Sequence, residues 1–234
     1  MTSDSLPSTP VPADTEPTWF LDSDSDAVAQ FVQRALADAG VGSDDQRAVA
    51  VALFNAVRDS IRYDPYGISV DPHDFRASTI AGSSSNWCVP KADLYTAALR
   101  QVGIPARLAF ADVRNHLTSE KLTEALGTDL FAWHGYTELD LDGRWLKAST
   151  AFNIELCRKF GTKVLEFDGE HDALMHPYDE AGNRHMEYVR QRGTFEDLPL
   201  DEIFATFAEV YPSSMTGGGA AGSGADGVDD AFTL

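Results

Sequence analysis

The sequence predicts an α+β fold, on three observations. Apolar residues recur at helical spacing in three runs before Gly103, near 27–36, 49–61 and 92–102. Two-residue alternation takes over after Gly103, and an Asp142-Gly143 pair separates two alternating runs, a strong hairpin signal. Helices that come first and an antiparallel sheet that follows define the α+β class.

The first helix is expected where Ala27, Val28, Phe31, Val32, Ala35 and Leu36 follow the 3.6-residue period, with Gly40 as its stop. Ser43 with Gln46 reads as a capping box for a second helix, whose apolar positions include Val49, Leu53, Val57 and Ile61. A loop rich in Pro, Asp and Gly then runs from Asp64 to about Ser85. The third helix starts near Cys88, presents Ala92, Tyr95, Ala98, Leu99 and Val102 on one face, and stops at Gly103. Strands are expected at 106–113, 131–141 and 144–149, a short helix at 152–160, a strand at 163–167 and a closing helix at 199–211.

Length and composition set the frame. With 234 residues and a hydrophobic fraction of 43%, the chain suits one domain with its own core. Residues 1–21 mix Pro, Ser, Thr and Asp and read as a mobile arm; 22–212 form the folded unit; 213–234 read as a flexible, Gly-rich acidic tail. A formal charge of −19 repels phosphate backbones and anionic lipid, so neither nucleic acid nor a membrane surface is an expected partner. Acidic residues spread along the whole chain, with 13 Arg but only 5 Lys, fit halophilic adaptation. The start of the chain is polar and acidic, and no stretch has the roughly 20 apolar residues that a membrane span needs, so a soluble, cytoplasmic protein is expected.

Two residues stand out chemically. Cys88 follows Ser83-Ser84-Ser85-Asn86-Trp87 and opens a helix, with Pro90 in its first turn. Unpaired N–H groups and the positive end of the helix dipole favour a thiolate there, the form that attacks a carbonyl. The same N–H groups suit the oxyanion of a tetrahedral intermediate. Cys157, after Ile154 and Leu156, reads as an inert core thiol, and two cysteines make no disulfide framework. His134 lies inside an alternating strand, Trp133-His134-Gly135-Tyr136-Thr137-Glu138-Leu139, whereas the other five His sit in loops or polar runs.

The Asn-Trp-Cys helix start, Gly103-Ile104-Pro105-Ala106-Arg107, the His134 strand and Gly143-Arg144-Trp145 together resemble the transglutaminase-like superfamily. Upstream, Val57-Arg58-Asp59, Ile61, Tyr63 and Phe75-x-Ala77-Ser78 extend the resemblance, which covers about residues 45–155. It implies a papain-like thiol acyl-transfer core, with Cys88 as nucleophile and His134 as general base and acid. The family's third member, an Asp on the next strand, is replaced here by Ser149. If Leu141 pairs with Arg144 across the hairpin, His134 falls opposite Ala151, with Ser149 and Asn153 as diagonal neighbours able to accept a ring N–H. Ser149 is therefore the aligned candidate and Asn153 the chemical alternative, since Asn serves this role in Cys-His-Asn sites. Trp87 either walls the substrate channel or belongs to the core.

His116, at the end of the strand that begins at Ala106, is a candidate to line the same cleft. The loop carrying Asp168, His171, Asp172, His176 and His185 lacks metal-ligand spacing, so no metal is expected. No phosphate loop or dinucleotide fingerprint occurs, so no cofactor is implied. The expected activity is acyl transfer from a peptide, protein or small amide through a Cys88 thioester, with hydrolysis favoured over cross-linking. The missing Asp supports a rival reading, a catalytically weak domain that binds a peptide or protein partner. Oligomeric state is not legible.

Overall fold

The structure, a computed structural model, describes residues 12–116, 120–176, 178–179 and 181–212. The expected tail therefore lies outside the described residues, as do the first eleven positions of the expected arm. The remainder of that arm, residues 12–21, packs on the domain: Leu21 is fully buried, the Thr18 hydroxyl donates to Asp197 at 2.7 Å, and Arg100 donates to the Glu16 carbonyl at 2.8 Å. The expected boundary at 21 thus fell too late, because composition could not show these three anchors.

Two amphipathic helices come first. Helix α1 (Asp26–Ala39) is capped by Ser25 and ends at Gly40 in the left-handed conformation that a glycine tolerates. Helix α2 (Gln46–Ser60) is capped by Asp45, whose side chain accepts the Ala48 N–H at 3.0 Å. The expected cap was Ser43, two residues upstream; its hydroxyl instead lies 3.4 Å from a carboxylate oxygen of Asp44. A two-residue strand β1 (Arg62–Tyr63) pairs in parallel with β2 (Ser85–Asn86), with a short helix α3 (Ala77–Ile80) between them.

Helix α4 (Cys88–Gln101) is the centre of the molecule. Cys88 through Arg100 are all buried, so the helix has no solvent face and the single apolar stripe read from the sequence is only part of its contact surface. It is wrapped by α1, α2 and α3 on one side and lies against the sheet on the other. Its buried polar residues act as ties. Lys91 Nζ donates to the carbonyls of Arg58, at 2.9 Å, and Ile61, which fixes the first turn of α4 to the C-terminal end of α2. Arg100 donates to the Ala106 carbonyl at 2.8 Å, and Thr96 and Thr137 hydroxyls meet at 2.9 Å.

The four-stranded antiparallel sheet has the order β5-β4-β3-β6, formed by β3 (Ala106–Asn115), β4 (Leu130–Leu141), β5 (Arg144–Ala148) and β6 (Met186–Phe195). Helix α5 (Glu120–Leu126) lies between β3 and β4. The Asp142-Gly143 turn has positive φ at both residues, 58° and 79°, and sets Leu141 opposite Arg144. Residues 163–167 form no strand, and the sheet's fourth member is instead β6. That strand is polar and largely exposed, which is why alternation did not mark it. Helix α6 (Ile154–Phe160) follows β5, and α7 (Leu200–Val210) closes the domain. Among the described residues, no helix is long and apolar enough to cross a membrane.

Gly135 is where helix and sheet come closest. A Cβ built there would stand 3.0 Å from Val89 Cα and 3.4 Å from both the Ala92 Cβ and the Cys88 carbonyl. Backbone cannot retreat as a flexible side chain can. Gly135→Ala is therefore expected to destabilise the domain by about 1–3 kcal/mol in urea unfolding, as overpacking of a tight core does. A stability equal to wild type would mean the helix can shift away freely.

Candidate active site

The nucleophile candidate sits where three constraints meet. Cys88 is the first residue of α4, after an extended Trp87 that offers no side-chain cap. The parallel pairing of Tyr63 with Asn86 and the bond from Asp64 N–H to the Asn86 carbonyl, at 3.0 Å, fix the chain just before it. The third constraint is the close approach at Gly135. Strand β5 pairs only with residues 137–141 of β4, so the earlier part of β4 has no strand on that side, and the helix start comes close to it at Gly135.

Burial decides the charge of the thiol. Cys88 is 8% exposed, and burial pushes its pKa from 9.0 up to about 11. Backbone N–H groups of Gly135, Val89 and Cys88 itself act in the opposite direction. The helix-start thiolate expected from the sequence is thus not the resting form near neutral pH: desolvation outweighs the donors. His134 is 3% exposed, and burial lowers its pKa from 6.5 to about 4. The resting pair is a thiol and a neutral imidazole.

Strand β4 delivers His134 through a bulge. Ala111 pairs with His134 and Val113 with Phe131, so Ala132 and Trp133 together oppose Asp112. Trp133 adopts φ 57°, left-handed and uncommon for a bulky residue. The kink is held by Asp112, which accepts the Trp133 N–H at 3.1 Å and two bonds from Arg192, at 2.7 and 2.9 Å. Residues 131 and 134 would face opposite ways in a regular strand; with the extra residue, Phe131 and His134 line one cavity together with Cys88. Alternation in the sequence carries no sign of this bulge.

The ring has two further neighbours. Ser149 Oγ, in a residue 1% exposed, lies 3.3 Å from His134 Nε2; in the tautomer where Nε2–H donates to this hydroxyl, Nδ1 is the basic nitrogen of the ring. Tyr188 packs edge-on at 6.2 Å between centroids, with its oxygen accepting the Met175 N–H at 3.3 Å.

Asn153 is not on the ring. The hairpin register is as expected, but the ladder ends at Thr137 opposite Ala148, and the chain then turns away, so Ala151 never pairs with His134. Ser149 instead donates its N–H to the Ala173 carbonyl at 2.9 Å. Asn153 Oδ1 accepts the Tyr63 N–H at 3.1 Å and holds β1 beside the helix start. Trp87 lines the Cys88 cavity and packs against Phe75 and Phe207 at centroid distances of 6.2 and 5.8 Å.

His116 faces elsewhere. It bonds Glu187 at 3.1 Å and lines a separate cavity of about 370 Å³ with Met175, Arg184 and Tyr188. Cys157 is buried, unbridged and raised in pKa by burial. Among the described residues, no three His, Cys, Asp or Glu side chains gather as metal ligands. Sequence reasoning missed Gly135 as a packing requirement, Tyr63 as the residue Asn153 holds, and Tyr211. The Tyr211 hydroxyl accepts the Ala132 N–H at 2.7 Å and lies 3.3 Å from the Leu130 carbonyl, on the edge of β4. Only its place at the end of an apolar helix could have signalled it.

Comparison with known families matches residues 34–150 to the transglutaminase-like superfamily, and the chain belongs to that superfamily. Among solved structures, one similar chain is a candidate cysteine protease from Cytophaga hutchinsonii, with 16% sequence identity and a TM-score of 0.45. The similarity covers 85% of this chain and 49% of that one, so this chain spans about half the length of that relative. No curated protein matches the sequence.

The depressed His134 pKa has a consequence for stability. A proton binds the unfolded chain first as pH falls, so this contribution is fully present above 6.5 and is lost as pH falls toward about 4. Between about pH 7 and about pH 4.5, wild type is expected to lose roughly 2–3 kcal/mol more than His134→Gln in urea unfolding. Equal losses would mean that water reaches the ring.

Proposed function

We propose that this domain is a cysteine hydrolase or acyltransferase that cleaves amide or peptide bonds through a thioester on Cys88, with hydrolysis favoured over cross-linking. The observation that carries the reading is that Cys88 and His134 line one cavity, with Ser149 Oγ 3.3 Å from His134 Nε2. In the reaction, Cys88 Sγ attacks the amide carbonyl as its proton passes to His134 Nδ1. The carbonyl oxygen becomes an oxyanion close to the N–H groups of the α4 start. Collapse of this intermediate breaks the C–N bond, and the imidazolium returns the proton to the leaving amine. Water, deprotonated by His134, then attacks the thioester and restores the thiol.

Neutral resting groups make the order of events matter. With the thiol at about 11 and the imidazole at about 4, proton transfer in the empty site is uphill. Transfer coupled to attack avoids a buried ion pair with no substrate present. Hydrolysis is favoured because a water needs only about 10–15 Å³ of space to reach a thioester, far less than a lysine side chain needs.

A second reading, a weakly active or inactive domain that binds a peptide or protein partner, is favoured by Ser149. A hydroxyl aims the ring but supplies no negative charge to an imidazolium. The two readings separate in amine release from small amides, with Cys88→Ala as the blank. Ser149→Ala is expected to lower turnover about 10- to 100-fold, less than the roughly 10⁴-fold effect of losing a carboxylate's charge in a serine protease. Ser149→Asp is expected to raise turnover and to move the acid limb of the pH profile upward. Wild-type turnover no greater than the Cys88→Ala blank would favour the binding domain.

A further inference from the structure

The cavity beside Cys88 has a chemistry of its own. Tyr63, Ile68, Trp87, Leu126, Phe131 and Phe207 form its walls, and no carboxylate, ammonium or guanidinium lines it. The aromatic walls are locked by packing: Phe207 meets Tyr211 at 5.0 Å and Trp87 at 5.8 Å, and Tyr63 meets Phe152 at 4.8 Å. One end is closed by Tyr211, whose hydroxyl occupies the Ala132 N–H and reaches the Leu130 carbonyl, the edge groups an extended substrate chain would use to pair with β4.

We propose that this cavity is the acyl pocket of the Cys88 site and takes a compact, uncharged aliphatic acyl group, of about isobutyryl size. The proposal rests on the acyl-transfer reading above and adds the substrate class to it. Size sets one limit. An apolar cavity of about 150 Å³ holds a benzene ring, and the space between these walls is about 40 Å³, open on one side. The three-carbon end of an isobutyryl group enters with its carbonyl left outside at Cys88, while a six-carbon ring has to displace locked aromatic walls. Charge sets the other limit, since a carboxylate placed here loses its water and gains no cationic partner. Tyr211 sets the third, because an acyl group that continues as an extended chain meets its hydroxyl where it would pair.

The test uses two independent readouts on the full chain. Acylation of Cys88 by p-nitrophenyl isobutyrate, phenylacetate and succinate half-ester is measured, each rate divided by that of the same ester with free N-acetylcysteine. Isobutyryl is expected to lead each of the others by roughly tenfold or more. Leu126→Ala, which enlarges the pocket, is expected to shift the preference toward phenylacetyl. Protection is the second readout: isobutyramide slows alkylation of Cys88 by iodoacetamide, and phenylacetamide and succinamate at the same concentration do not. Equal protection by the three amides, or by none, overturns the pocket assignment whether or not the esters react. Selective protection with no acylation from any ester keeps the pocket and removes the acyl-transfer reading instead.

Discussion

The contact on which the rest of the site depends is the approach of Gly135 to the first turn of α4. A missing side chain lets a sheet backbone lie against a helix backbone, with Val89 Cα only 3.0 Å from where a Cβ would be. That approach brings the Gly135 stretch of β4 to the helix start, so N–H groups from both elements face the Cys88 sulfur. It also explains why α4 must be held from the other side. Lys91, gripping the end of α2 through two carbonyls, keeps the first turn from backing away. The nucleophile is thus positioned by backbone against backbone, the least adjustable kind of contact in a protein.

The proposed catalytic pair is tuned by burial more than by charge. A helix N-terminus is worth about 0.3–1 kcal/mol to a nearby anion, whereas removal of water from an ionised group costs several times that. The outcome is a thiol pushed up and an imidazole pushed down, with a hydroxyl where the family pattern has a carboxylate. On the proposed reading, such a site is quiet when empty and needs the substrate's developing oxyanion to make proton transfer favourable. Aromatic rings that exclude water, Trp87 and Tyr188 among them, are therefore part of the electrostatics as much as of the packing.

What the sequence made legible follows from which forces are local. The helix start at Cys88, the stop at Gly40 and the Asp142-Gly143 turn rest on short-range preferences, and all three stand as read. Ser149 is named from the family resemblance and checked by counting register across the hairpin; it lies one residue past the end of β5, near enough to remain beside His134. Asn153 failed because nothing local announces that β5 stops at Ala148 and hands its backbone to Ala173. The bulge at Trp133 is set by Asp112 and Arg192, 21 and 59 residues away in the chain but adjacent in the sheet. Edge strand β6 escaped because exposure on both sides removes the alternation that marks a strand.

The central claim is that Cys88 and His134 form one acyl-transfer unit, and covalent trapping tests it most directly. After mixing with a small p-nitrophenyl ester, intact mass spectrometry with peptide mapping should show one acyl group, on Cys88, that decays to free enzyme. In His134→Gln the same adduct should form more slowly, by about 10²–10⁴-fold, the usual contribution of a positioned general base. An unlabelled Cys88, or one labelled equally fast without the histidine, would contradict the account.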